Sequence, residues 1–265
     1  MPKSKLAYGL IGLAVLVLLA VVVYRGAPGL SFAVGGNDNQ GQQTAGNKDP
    51  EEKEPQITPV ERALQVGANE LGQAPILIYH RIGEPGGRWT RTPENFRQDL
   101  EDLYSRGYVL VSMTDYLNKN IDIPAGKSPA VITFDDSTPG HFRLLEDQNG
   151  ELQIDPDSAV GILKDFEAQH PEFGHSATFY INANPFGGEE GQAQYWKEKL
   201  QMLDEQGFEI GNHTYNHAYL KDLNDQEIQE EIASLQDHIQ AAVPGYKPNT
   251  VAIVQDGVPE PYSLL

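Results

Sequence analysis

Two short segments concentrate the residue types that hydrolytic chemistry needs: Thr133-Phe134-Asp135-Asp136 and, further along, His213-Thr214-Tyr215-Asn216-His217. One carboxylate and two imidazoles, from Asp136, His213 and His217, make a ligand set for a divalent ion. Such a set leaves a coordination position open to water, as a catalytic site requires and a structural site does not. Asp135, next to that set, is placed to take the water's proton. Thr214 stands where a His-Glu-x-x-His metallopeptidase has its glutamate, which argues against that enzyme class.

Each segment follows an apolar run. Ile76 to Tyr79, Tyr108 to Ser112, Ala130 to Phe134, Ala177 to Ile181, Phe208 to Ile210 and Thr250 to Val254 read as strands. Amphipathic helices lie between them. The first has Thr92 as N-cap, Pro93 at the first helical position, a stripe of Phe96, Leu100 and Leu103, and Gly107 as its stop. A second carries Trp196, Leu200 and Leu203, and a third Ile228, Ile232, Leu235 and Ile239. Strands alternating with helices predict an α/β fold with a parallel sheet, either a (β/α) barrel or a doubly wound sheet. In both, chemistry gathers at the C-terminal ends of strands, where the two segments fall.

Composition narrows the setting. With 38 acidic against 19 basic side chains the formal net charge is −19, which argues against nucleic acid as a partner. Cysteine is absent, so neither a thiolate site nor a disulfide framework is available. Leu6 to Tyr24 carries no charge and, at about 1.5 Å per residue, extends roughly 28 Å, enough to cross a bilayer. Lys3 and Lys5 precede it, which places residues 1–5 in the cytoplasm and the remainder outside it. The alternative is a secreted protein, the apolar run being a signal peptide cleaved near Ser31-Phe32-Ala33. Residues 25–60, rich in Gly, Asn, Gln, Glu and Pro, read as a flexible linker, and 61–265 as the folded domain.

Taken in order, the motifs make the chain similar to the polysaccharide deacetylases of carbohydrate esterase family 4, the group with the NodB homology domain. The likeness runs from about Pro75 to about Pro248 and rests on Thr133 to Asp136 and His213 to His217. Tyr79-His80-Arg81, Asn95-Phe96, Arg106-Gly107-Tyr108, Ala177-Thr178-Phe179-Tyr180 and Gly207 to Asn212 support it. The resemblance implies a distorted (β/α) barrel and a hydrolase that removes acetyl groups from N-acetylated cell-envelope polysaccharide, peptidoglycan or a chitin-like glycan. Poly-N-acetylglucosamine and O-acetylated polymers are alternative substrates. By the same resemblance Asp136, His213 and His217 hold zinc, with cobalt or nickel as alternatives, and Asp135 is the general base. Asn212, Thr214 and His80 are candidates for supporting or lining the pocket, whereas His141, His170, His175 and His238 read as ordinary loop or helix residues.

The likeness ends near Ile253. The family's Arg-x-Pro-Tyr/Phe-Gly segment is not matched by Val254-Gln255-Asp256-Gly257-Val258-Pro259, and its Leu-x-His general acid has no counterpart, no histidine following His238. The resemblance therefore implies a domain incomplete after about residue 253, through truncation or a frameshift. It also leaves open a catalytically inactive glycan-binding remnant.

Overall fold

The computed structural model describes residues 73–260 apart from 190, together with positions 58, 61 and 65. The anchor expected at 6–24 and nearly all of the linker at 25–60 lie outside the described residues. Among those described, no helix is long and apolar enough to cross a membrane.

The elements follow the alternation read from the sequence. β1 (Ile76–Tyr79), β2 (Arg81–Ile82) and β3 (Thr90–Arg91) lead into α1 (Pro93–Ser105), then β4 (Tyr108–Leu110), α2 (Met113–Asn118) and β5 (Ser128–Phe134). A hairpin of β6 (Leu144–Glu146) and β7 (Leu152–Ile154) precedes α3 (Ala159–Gln169), β8 (Thr178–Ile181), α4 (Trp196–Glu205), β9 (Glu209–Asn212) and α5 (Asp225–Ala242). Thr92 caps α1 by accepting from Asn95 N, and Asn224 caps α5 in a reciprocal box with Glu227.

A five-stranded sheet runs β1-β5-β8-β9, with β4 also paired to β5, and all its ladders are parallel. Among the described residues this sheet is open rather than closed into a barrel. One face packs on the helices. There Leu77, Ile132, Phe134, Phe179, Ile181 and Ile210 join Phe96 and Leu100 of α1, Leu163 of α3, Leu200 of α4 and Leu235 of α5. Phe134 stacks on Phe179 at 4.8 Å and meets Phe96 edge-on at 5.7 Å. Each such pair contributes about 0.5–1.5 kcal/mol beyond its buried area. Phe134 immediately precedes Asp135, so this aromatic layer fixes the strand end from which Asp135 departs.

Only β1 keeps the expected strand bounds: β5 begins two residues earlier at Ser128, β8 one residue later at Thr178, and β9 runs Glu209–Asn212 instead of Phe208 to Ile210. The run expected from Tyr108 to Ser112 ends at Leu110, because Ser112 turns out to accept from Asp115 N as the N-cap of α2. The run expected from Thr250 to Val254 is reduced to one parallel bridge between Val251 and Asn212. Asn212 is the last residue of β9; its N–H donates to Thr250 O and its carbonyl accepts from Ala252 N, after which no ladder remains to extend.

Candidate metal centre and active-site pocket

The sheet delivers both motifs to one end. Asp135 and Asp136 leave β5, while His213 and His217 leave β9, and the two strands are held one strand apart by β8. The backbone makes sharp reversals there. Asp136, Ser137, Thr214 and His217 have φ of 71°, 44°, 62° and 54°, all in the left-handed region that non-glycine residues rarely occupy. For β-branched Thr214 the strain is greatest, and such strain persists only where the surroundings over-determine it.

Those surroundings can be named. Ser137 carbonyl accepts from Phe186 N at 2.7 Å, and Asn182 Nδ2 donates to Asp136 O at 3.4 Å. Beyond them, the buried ammonium of Lys199 donates to Phe186 O, to Gln192 O and to Gln192 Oε1, tying Phe186 to Gln192. On the other side Asn212 Oδ1 accepts from Thr214 N at 2.9 Å, and Asn212 Nδ2 donates to Ile232 O at 3.0 Å. Thr214 Oγ1 then accepts from Ala218 N at 2.7 Å, closing the turn that carries His217. Asn212 and Thr214 thus brace the histidine loop, and neither points a ligand atom at the cluster.

Within this frame Asp136 Oδ1 is 3.2 Å from His213 Nε2 and 2.9 Å from His217 Nε2. One ligand atom from each of the three residues falls within 4.8 Å of the others. Ligands bound at about 2.0–2.2 Å in a tetrahedron stand roughly 3.3–3.6 Å apart, a few tenths of an ångström beyond the two separations here, so small side-chain shifts would let this donor set seat a zinc-sized ion. His213 Nδ1 contacts Ala252 O at 2.9 Å, which fixes the tautomer that leaves Nε2 free to ligate. The His213 hydrogen bond, together with the charges of His217 and His213, pushes the Asp136 carboxyl down to about 2 against the opposing effect of burial. Burial alone would lower His213, but its bonds to Asp136 and Ala252 raise it instead.

Asp135 behaves oppositely. Burial, reinforced by the neighbouring Asp136 and opposed by His213 and His80, raises its carboxyl above the ordinary range. Its N–H is tied to Tyr79 O at 3.0 Å while its Oδ1 is buried with no hydrogen-bond partner. Of the two adjacent carboxylates, one is held down by the histidines and the other is raised and unpartnered, a separation that suits acid–base work.

A cavity of about 500 Å³ opens above them, lined by Asp135, Asp136, His213, His217, His80, Arg81, Trp89, Ile253, Val254 and Gln255. His80 is therefore at the pocket wall. Sequence reasoning did not single out Trp89, and it set His141 aside as ordinary. His141 is fully buried against Phe134 at 5.0 Å, neither ring nitrogen having a partner. By contrast His238 stacks on Trp196, His170 packs between Tyr104 and Phe166, and His175 pairs with Glu167, all away from the pocket.

Comparison with known proteins bears on the family and the fold. A profile of the family described as polysaccharide deacetylase matches residues 122–254. The YxkH protein of Bacillus subtilis (strain 168) is 24% identical over 201 residues, which is 74% of this chain and 63% of that relative. The chain thus spans less than two thirds of that relative's length. Among solved structures, the deacetylase PplD of Streptococcus pyogenes in complex with acetate superposes with a TM-score of 0.51 at 21% identity, covering 69% of this chain and 76% of that one.

Proposed function

Since the chain belongs to the polysaccharide deacetylase family, we propose that it hydrolyses acetyl groups from an N-acetylated polysaccharide of the cell envelope, peptidoglycan or a chitin-like glycan. The observation that carries this reading is the convergence of Asp136, His213 and His217 beside the buried, unpartnered Oδ1 of Asp135.

Asp136, His213 and His217 would hold a divalent ion, zinc being the best match to two imidazoles and one carboxylate. A bound ion would supply polarisation of the acetyl carbonyl and a lowered pKa for water. The protein's own part is acid–base chemistry. Asp135 accepts the proton as water adds to the carbonyl carbon, its raised basicity suiting it to the task. The carbon–nitrogen bond then breaks as the proton held by Asp135 passes to the nitrogen, releasing a free amine and acetic acid, which ionises to acetate in solution. Asp135 serves as both base and acid in this scheme. Ala252 O holds the His213 ring in register throughout.

The chain acts from the membrane in this reading, through residues 6–24, with the domain held outside the cytoplasm. The test is acetate release from an acetylated chitooligosaccharide, with and without added zinc, alongside Asp135→Asn. Zinc-dependent release that disappears in the variant supports deacetylation. A folded sample that binds zinc and glycan yet releases no acetate from chitin-like or peptidoglycan fragments refutes it and leaves a glycan-binding domain.

A further inference from the structure

The pocket does not end at the Asp-His-His cluster. Its wall residues His80, Arg81 and Trp89 also line a second hollow of about 290 Å³ that continues over Gly87, Arg88, Thr90 and Arg91. The two hollows meet at these shared residues, so a chain-like ligand with its acetyl group at the cluster could reach Trp89 and Arg88.

The charge of this extension is opposite to that of the molecule. The chain carries a net charge of −19, yet among the described residues no carboxylate lines the second hollow, whose ionisable walls are three arginines, His80 and Tyr79. Arg91 is neutralised by a bidentate pair with Asp99, Nη2 to Oδ1 at 2.5 Å and Nε to Oδ2 at 2.8 Å. Arg81 and Arg88 are exposed and make no ion pair among the described residues. A guanidinium presents a planar fork of donors suited to carboxylate or phosphate.

Next to that charge is an aromatic surface. Trp89 is 57% exposed, with its ring 5.0 Å from the His80 ring and 4.9 Å from the Arg88 guanidinium carbon. Arg88 and Trp89 occupy the tip of a tight turn closed in both directions, Gly87 N to Thr90 O at 2.9 Å and Thr90 N to Gly87 O at 3.3 Å. The turn is anchored by Gly83 N to Arg91 O at 3.0 Å, so the pair is presented by an ordered loop, which lowers the entropy lost on binding.

Resting on the deacetylase reading, we propose that Arg81, Arg88 and Trp89 form a subsite for an acidic sugar, the apolar face of the pyranose lying on the indole and its anionic group on the guanidinium. The substrate is then an N-acetylated glycan bearing negative charge near the acetylated residue. The acidic remainder of the surface repels polyanions at a distance, so recognition is local and weakens as salt screens it.

The test measures binding by calorimetry on the full chain in a mild detergent, using an N-acetylglucosamine pentamer, the same pentamer oxidised at C6 to carry carboxylates, and the same pentamer phosphorylated at C6. The expected result is about tenfold tighter binding of one acidic pentamer than of the neutral one, shrinking at high salt. The two acidic arms separate carboxylate from phosphate. Arg88→Gln should bring the preference close to one, and Trp89→Ala should weaken all three ligands. Equal or tighter binding of the neutral pentamer, or no measurable binding of either acidic one by a folded sample, overturns the subsite. Acidic preference without acetate release would sink the deacetylase reading alone, whereas acetate release without acidic preference would sink only the subsite.

Discussion

Nδ1 of His213 lies 2.9 Å from the carbonyl oxygen of Ala252, so a main-chain atom of the segment after α5 orients a ligand of the cluster. Ala252 N in turn donates to Asn212 O at 2.9 Å, which locks that carbonyl beside β9. Because both contacts are backbone, Ala252→Ser should leave zinc affinity unchanged. Ala252→Pro removes the donor and shifts the carbonyl, and should weaken zinc binding by about 10–100-fold, the usual cost of losing a ligand's outer partner. Titration against a chromophoric chelator reads both variants.

Thr214 supports the other histidine through its hydroxyl. Its Oγ1 accepts from Ala218 N at 2.7 Å from within a fully buried position. Thr214→Val keeps the shape and deletes the acceptor, stranding a part-buried N–H at a cost of about 1–3 kcal/mol. The expected outcome is a lower denaturation midpoint together with at least tenfold weaker zinc binding, with both effects largely reversed in Thr214→Ser. Normal zinc affinity in the valine variant would show that the bond does not position His217.

The parts of this architecture that were legible from sequence are those set by local rules. Thr92-Pro93 and the Phe96-Leu100-Leu103 stripe specify α1 within one segment, and the apolar run before Asp135 specifies β5. The Asp135-Asp136 and His213-x-x-x-His217 spacings identified the cluster because strand order in a parallel sheet sends both to the same end. Features that depend on distant partners were not legible. Thr250 to Val254 has strand composition, yet it pairs only at Val251 because β9 ends at Asn212 and turns into the left-handed backbone of Thr214. Trp89 and Arg88 acquire meaning only once the Gly87–Thr90 turn sets them at the pocket rim. His141 gives no sign in its own neighbours that it is enclosed, since its burial depends on Gly140 meeting Ile82.

That meeting is close enough to test directly. A Cβ added to Gly140 would stand 1.7 Å from Ile82 O, a backbone atom that cannot rotate away. Gly140→Ala must separate the 138–141 turn from β2. We expect a loss of about 2–4 kcal/mol in chemical denaturation, in line with overpacked cores. Because Asp136 and Ser137 lie immediately before this turn in the chain, zinc affinity should fall with it. A stable Gly140→Ala protein with unaltered zinc binding would mean that the turn tolerates displacement.

His141 sets a pH dependence of stability. Burial pushes its imidazole down to about 3, with the Asp136 carboxylate only partly opposing, whereas in the unfolded chain the ring titrates near its ordinary value of 6.5. Between those values the unfolded state binds a proton that the folded state refuses, so ΔG of unfolding rises with pH across this window. The ring's contribution is fully present above about pH 6.5 and is lost as pH falls toward 3, with a slope of at most about 1.4 kcal/mol per pH unit. Carboxylates also titrate there, so the difference between wild type and His141→Leu is the informative quantity. Leucine leaves no ring to protonate, and the variant should lose less stability than wild type from pH 6.5 to 4. Parallel curves for the two proteins would show that the His141 ring takes up a proton in the folded state as readily as in the unfolded one.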